Sequence, residues 1–178
     1  MEQYIVYKYD KSSVYRSNLN KNDKIYTYRK FLFGAKDKIF KSILFAISAR
    51  GKHKILCVEN EKKEIIHYSF VIPYCRKFQF MKKGDYCIGP CWTHPDYRGK
   101  GIYGNVLDYV STSITSENND ADCYVLIREA NIASSNGIKK SKYIPVGTIR
   151  KTKILKHYKT VFWYNKGLPV NNEGVEQI

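Results

Sequence analysis

Long apolar runs are missing from this 178-residue chain: 43% of its residues are hydrophobic, yet no stretch is long enough to cross a bilayer as a helix. The opening Met1-Glu2-Gln3-Tyr4-Ile5-Val6-Tyr7 lacks a basic segment followed by an apolar one, so no secretory leader is expected and a cytoplasmic location is. Cysteine is sparse and odd in number. Cys57, Cys75, Cys87, Cys91 and Cys123 form no C-x-x-C pair, and the four histidines hold no paired spacing with them. That pattern speaks against a bound metal and against a disulfide framework, and leaves the cysteines as small buried hydrophobes. Acids are also in deficit, 16 against 31 basic residues, for a net charge of +15. Such a surplus steers polyanions inward. The lysines are dispersed rather than gathered into one stripe or tail, which disfavours nucleic acid as the partner and leaves solvated surface charge as the plain alternative. With no internal repeat or low-complexity linker, residues 1–178 are expected to form a single domain.

What the chain does have is a glycine-rich turn between a strand and a helix. Tyr86 to Trp92 reads as a strand, Thr93-His94-Pro95-Asp96-Tyr97-Arg98 as a Pro-marked turn, and Gly99-Lys100-Gly101-Ile102-Tyr103-Gly104 as the entry to a helix reaching about Ser116. Glycines let backbone approach a ligand closely, and the first N–H groups of a helix have no intrahelical partner. Together they make an anion cradle. A Walker A loop is excluded, because no Gly here is followed by Lys and then Ser or Thr at the required spacing. Gly99, Gly101 and Gly104 satisfy G-x-G-x-x-G literally, but the chain has neither the length nor the pattern for a doubly wound sheet. Beyond the loop, Tyr103, Val106, Leu107, Val110 and Ile114 recur at three- and four-residue steps, an apolar stripe that packs a helix on a sheet.

Elsewhere the patterning predicts strands over Tyr4 to Tyr9, Lys54 to Glu59, Glu64 to Tyr74, Asp122 to Arg128, Lys142 to Leu155 and His157 to Lys166. Helices are predicted over Lys24 to Phe33, Lys36 to Ala49 and Asn131 to Ser141. Asn60-Glu61-Lys62-Lys63 is a charged turn between two strands, and Gly147-Thr148 is a place for a strand to bend. The order of elements is that of a mixed α/β domain.

Arg98-x-x-Gly101, after a strand and His94-Pro95-Asp96-Tyr97, resembles motif A of the GNAT superfamily of N-acetyltransferases, whose signature is [RQ]-x-x-G-x-[GA]. The chain departs at the last place, where Tyr103 replaces Gly or Ala. Asn131-Ile132-Ala133-Ser134 is similar to the family's Asn-x-x-[AS], and Lys142-Tyr143 stands near its Gly-Phe pair. The resemblance spans most of the element order, with specific motifs only in the middle third. It implies a GNAT-like α/β (mixed α+β) fold: a mostly antiparallel sheet of about seven strands, splayed at the cofactor site and flanked by helices.

The resemblance further implies acetyl transfer from acetyl-CoA, as cosubstrate, to an amine. Backbone of Arg98, Gly99, Lys100, Gly101, Ile102 and Tyr103 then holds the pyrophosphate, while Cys91, Trp92 and Thr93 pair with pantetheine as with an added strand. Lys100, Lys139 or Lys140 reaches toward the 3′-phosphate. Asn131 and Ser134 lie beside the pantetheine arm, and Asn131 is equally suited to cap a helix. The family's usual proton donor, a Tyr one turn into the helix after the Asn motif, is here Ile138, which leaves the acid open among the 16 tyrosines or water. The base is open between His67 and Glu129, each of which has a structural reading as well. Direct transfer does not use Cys91 as an acyl carrier. The texture of Tyr97 to Tyr103, with Asn131-x-x-Ser134 and Gly137-Ile138, looks like members that acetylate amino sugars on nucleotide diphosphates in surface-polysaccharide biosynthesis. An acyl-CoA-binding sensor or partner module without turnover is the rival reading, and other small-molecule or protein amines are rival acceptors.

Overall fold

A computed structural model describes residues 2–12, 24–27, 54–74, 78, 80–151, 158–165 and 168–170. In it the alternating segments become strands of one sheet, in the spatial order β2-β3-β4-β5-β6-β1-β7-β8-β9. Along the chain these are β1 (Gln3–Tyr9), β2 (Lys24–Thr27), β3 (Lys54–Glu59), β4 (Ile65–Pro73), β5 (Tyr86–Thr93), β6 (Cys123–Arg128), β7 (Tyr143–Lys151), β8 (Tyr158–Asn165) and β9 (Leu168–Val170). Two helices, α1 (Ile102–Glu117) and α2 (Ile132–Ile138), flank β6 in sequence. The domain is mixed α/β, as the sequence implies, with nine strands among the described residues rather than about seven.

One expectation is corrected. Lys24 to Phe33 reads as a helix, but Lys24–Thr27 is edge strand β2, paired antiparallel with Leu56 to Glu59 of β3. Ile25, Tyr26 and Thr27 are β-branched or aromatic, and a waiting ladder outweighs weak helical periodicity over so short a run. The rest of that segment, the helix read at Lys36 to Ala49, and Cys75 lie outside the described residues. Strand β7 changes register with β8 between Thr148 and Ile149, close to the bend read at Gly147-Thr148.

The stripe on α1 does what its spacing requires. Val106, Leu107 and Val110 are buried against β-strand residues such as Tyr7, Val58, Val71, Ile88 and Val125, with Tyr103 and Ile114 at the margin. Burying three such side chains contributes about 1.5–3 kcal/mol each. The helix is thereby fixed on the sheet, and its N-terminus keeps one direction. It ends at Asn118, whose extended backbone cannot continue the turn and whose N–H donates to the Ile114 carbonyl.

All neighbouring strands run antiparallel except β5 and β6. That parallel pair meets only at Tyr86↔Cys123 and Cys87↔Tyr124. Beyond it, β5 carries a bulge against β4 around Gly89-Pro90, where the register shifts between Ser69 and Val71. A bulge bends its strand, and the far halves of β5 and β6 part. The apex of this V is tied by Asp85, which is 1% exposed. One of its carboxylate oxygens accepts from the Lys82 N–H at 2.8 Å and the other from the Asp122 N–H at 3.0 Å. Asp122 in turn pairs with Lys8 at 2.9 Å and Lys11 at 3.0 Å.

Candidate active site

At the open end of β5 the chain turns through Pro95–Tyr97, a single 3-10 turn capped by the His94 side chain. His94 thus shapes the turn, as its position before Pro95 suggests. The exposed Arg98 guanidinium donates from Nε to the Thr93 carbonyl at 3.2 Å, bracing the loop. Gly99 and Gly101 follow with φ of 78° and 79°, a left-handed backbone that side-chain-bearing residues adopt only with strain. Gly101 is the N-cap of α1 and offers no side chain to the helix. The first intrahelical bond is Asn105 N–H to Gly101 C=O at 3.1 Å, so the amides of Ile102, Tyr103 and Gly104 precede the helical ladder.

These amides border a cleft of about 530 Å³. Every expected coenzyme contact except Lys100 and Lys139 lines it. Lys100 instead places its ammonium 4.6 Å from the centre of the Tyr97 ring. Lys140 lines the cleft, and Lys139 is exposed beside it. A second cleft of about 800 Å³ opens on the β6 side, bordered by Tyr4, Phe78 and Arg128 among others. The two share Cys91, Tyr103, Asn131 and Ser134, so they meet where β5 and β6 part.

Asn131 caps α2, its side-chain oxygen accepting from the Ser134 N–H at 3.2 Å. The helix after it crosses the start of α1 very closely. A Cβ on Gly104 would stand 3.3 Å from the Gly137 carbonyl oxygen, and one on Gly137 only 2.7 Å from Cδ1 of Tyr103. The Tyr103 ring therefore lies against Gly137, in space that glycine leaves free. This accounts for a bulky residue where the motif has Gly or Ala. Burial holds the Tyr103 hydroxyl well above its ordinary pKa, so it stays protonated. Ile138 is fully buried in the core and reaches neither cleft.

His67 and Glu129 fall on opposite sides of the same question. His67 is fully buried on β4 opposite Thr93, with both ring nitrogens occupied: Nδ1 lies 2.8 Å from Thr93 Oγ1 and Nε2 2.8 Å from Ser69 Oγ. Burial lowers its pKa from 6.5 to about 4, which keeps the imidazole neutral. As a candidate base, His67 sits one side chain behind the cleft, screened by Thr93, rather than facing it. Glu129 is exposed where β6 ends, its N–H donating to the Gln3 carbonyl at 3.1 Å.

Ser69 is the residue that sequence reading missed. Its hydroxyl donates to Cys91 Sγ at 3.1 Å. Cys91 as a residue is half-buried and borders both clefts; its sulfur accepts from Ser69, and burial pushes the thiol up to about 12. A thiol so placed stays protonated and is no thiolate nucleophile. Cys57, Cys87 and Cys123 are free and buried, as expected of small hydrophobes. Trp92, on the opposite sheet face, stacks on Tyr68 with ring centres 5.5 Å apart and planes 20° from parallel.

No family model matches the sequence, and no curated protein matches it. Solved structures do. An acetyltransferase of the GNAT family from Colwellia psychrerythraea aligns with a TM-score of 0.58 at 11% identity, over 82% of this chain and 53% of that one. A GCN5-related N-acetyltransferase from Sphaerobacter thermophilus gives 0.56 at 11%, over 76% and 47%. Another from Kribbella flavida gives 0.51 at 7%, over 89% and 56%. This chain thus spans about half the length of these three structures, and at such identities the likeness is one of fold.

Proposed function

We propose that this chain transfers an acetyl group from acetyl-CoA to a primary amine. The observation that carries the reading is the uncapped start of α1, behind two left-handed glycines, opening into a cleft at the gap between β5 and β6. An anionic diphosphate fits such a start, because the N–H groups and the helix dipole both favour negative charge. The far half of β5, beyond its two rungs with β6, fits an amide-bearing arm such as pantetheine, which extends the ladder that β6 abandons. Lys140 at the rim is the cation best placed for a further phosphate.

In this reading the amine enters by the second cleft and meets the thioester near Cys91, Tyr103, Asn131 and Ser134. Its nitrogen attacks the carbonyl carbon, the tetrahedral oxyanion collapses, and the thiolate leaves. Holding the two reactants in register supplies most of the acceleration, roughly 7–11 kcal/mol where alignment is good. A base or acid at the reacting atoms adds about 10²- to 10⁴-fold. Glu129 lines neither cleft, but it is exposed between Arg128 and Ala130, which border the second, and would receive the amine's proton through water.

For the acceptor, an amino sugar carried on a nucleoside diphosphate is the finer reading. The net charge of +15 and a second cleft walled by Tyr4, Phe78 and Arg128 suit a ligand with phosphates and stacking rings. The test is acetyl-CoA binding by calorimetry, followed by thiol release with a panel of amines that includes such sugars. Binding with amine-dependent release is expected. Binding without release identifies an acyl-CoA-binding module. Gly101→Glu, which puts a carboxylate into the cradle on a strained backbone, is expected to abolish binding, and unchanged affinity in that variant removes the site.

A further inference from the structure

Acetyl transfer leaves a thiolate that must gain a proton, and Ile138, where the resemblance puts a tyrosine, is sealed in the core. Behind the cleft, however, four side chains of β4 and β5 stand in one hydrogen-bonded row. Thr93 Oγ1 is 2.8 Å from His67 Nδ1, His67 Nε2 is 2.8 Å from Ser69 Oγ, and Ser69 Oγ is 3.1 Å from Cys91 Sγ. The row exists because His67 pairs with Thr93 and Ser69 with Cys91 across the two strands. Its interior members are fully buried, while both of its ends line the cleft. Cys91 alone of the four also borders the second cleft.

The row has a direction. Ser69 donates its proton to Cys91, so the Ser69 oxygen accepts from His67 and the ring proton lies on Nε2. Nδ1 is then a lone pair, and the Thr93 hydroxyl donates to it. The Thr93 oxygen is left with acceptor capacity toward the cleft. Every link is oriented to hand a proton from Thr93 toward Cys91.

We propose that Thr93, His67, Ser69 and Cys91 form a proton relay that delivers a proton to the departing thiolate, with the Cys91 thiol as the terminal donor. The relay rests on the acetyl-transfer reading of the same cleft. As the C–S bond of the thioester breaks, the Cys91 S–H bond breaks and a new S–H bond forms on the leaving sulfur. Ser69 returns a proton to Cys91, His67 Nε2 returns one to Ser69, Thr93 returns one to His67 Nδ1, and a water in the cleft returns one to Thr93. The hydroxide left behind is neutralised by the proton that the acetylated nitrogen sheds by way of Glu129, which balances atoms and charge; His67 is left protonated on Nδ1, and its return to the Nε2 tautomer resets the row before the next turnover. A neutral imidazole is the state that such a row needs. If the row merely satisfied a buried histidine, neither end would have to meet the cleft.

Two measurements on the full chain test this. Ser69→Ala removes one link at little change in volume; acetyl-CoA affinity is expected to hold within about twofold while turnover falls roughly 100-fold or more. The rate measured across mixtures of light and heavy water is expected to curve in the parent, as several protons in flight require, and to become linear in Ser69→Ala. Independently of turnover, nitrogen NMR of His67 is expected to show a neutral ring protonated at Nε2. Turnover of Ser69→Ala within about twofold of the parent overturns the relay, and so does a proton found on Nδ1. Loss of thiol release in Tyr103→Phe alone, with Ser69→Ala unaffected, overturns it in favour of the tyrosine. A parent chain that binds no acetyl-CoA fails at the earlier step and takes the relay with it, whereas transfer by both parent and Ser69→Ala sinks the relay only.

Discussion

Acid should destabilise this protein through His67 at a pH above the range where Asp10 and Asp122 are titrated. The imidazole is fully buried, and burial lowers its pKa from 6.5 to about 4. Between those values the unfolded chain binds a proton that the folded chain refuses, so stability rises with pH across the window. The contribution is fully present above about pH 6.5 and is lost as pH falls to about 4. At 1.36 kcal/mol per pKa unit the gap amounts to about 3 kcal/mol, a large share of a typical domain's stability. Asp10 and Asp122 have lowered pKa values, so their losses fall below the ordinary value of 3.8, while the raised Asp108 acts in the opposite sense. His67→Gln keeps a donor and an acceptor for the two hydroxyls but cannot be charged. Urea denaturation of both proteins, from about pH 7.5 to about pH 4, gives a difference in which the shared carboxylates cancel. The parent is expected to lose about 3 kcal/mol relative to His67→Gln over that range. Curves that stay parallel would refute a neutral, desolvated His67.

Two further outcomes follow from the crossing of the helices and from the rim of the cleft. Gly137→Ala sets a Cβ 2.7 Å from the Tyr103 ring, and is expected to cost about 1–3 kcal/mol and several degrees of melting temperature; an unchanged melt would mean that the ring is not held there. Lys140→Ala is expected to weaken acetyl-CoA about two- to five-fold, the range for an exposed charge pair, and to leave dephospho-CoA unaffected. Equal losses for both ligands would place the 3′-phosphate elsewhere.

The loop from Thr93 to Gly104 was legible in the sequence because its constraints are local: a left-handed backbone selects glycine, and an apolar stripe selects a helix face. Asn131 was legible for the same reason, since a cap is decided within four residues. Short strands at the sheet edge were not. Lys24–Thr27 is strand because β3 offers it a ladder, a fact about residues some thirty positions away. The row from Thr93 to Cys91 was hidden for a related reason. Ser69 and Cys91 are neighbours only through the register of β4 against β5, and the bulge at Gly89-Pro90 lies just beyond that pairing. His67 was singled out for its chemistry, but its burial and both of its partners come from tertiary packing. Tyr103 looked like a misfit in its motif until Gly137, thirty-four residues on, proved to be the hollow that receives it.

The clasp made by Asp85 works as a fulcrum. Two strands joined to each other at two adjacent rungs, and held beyond them by their outer neighbours β4 and β1, behave like the jaws of tweezers, with Cys87 near the pivot and Thr93 near the tip. Six residues of extended chain make an arm of roughly 20 Å, over which a tilt of about 5° displaces the tip by nearly 2 Å. A slackened carboxylate at position 85, touching neither cleft, would alter the aperture at the jaws by more than a hydrogen bond tolerates.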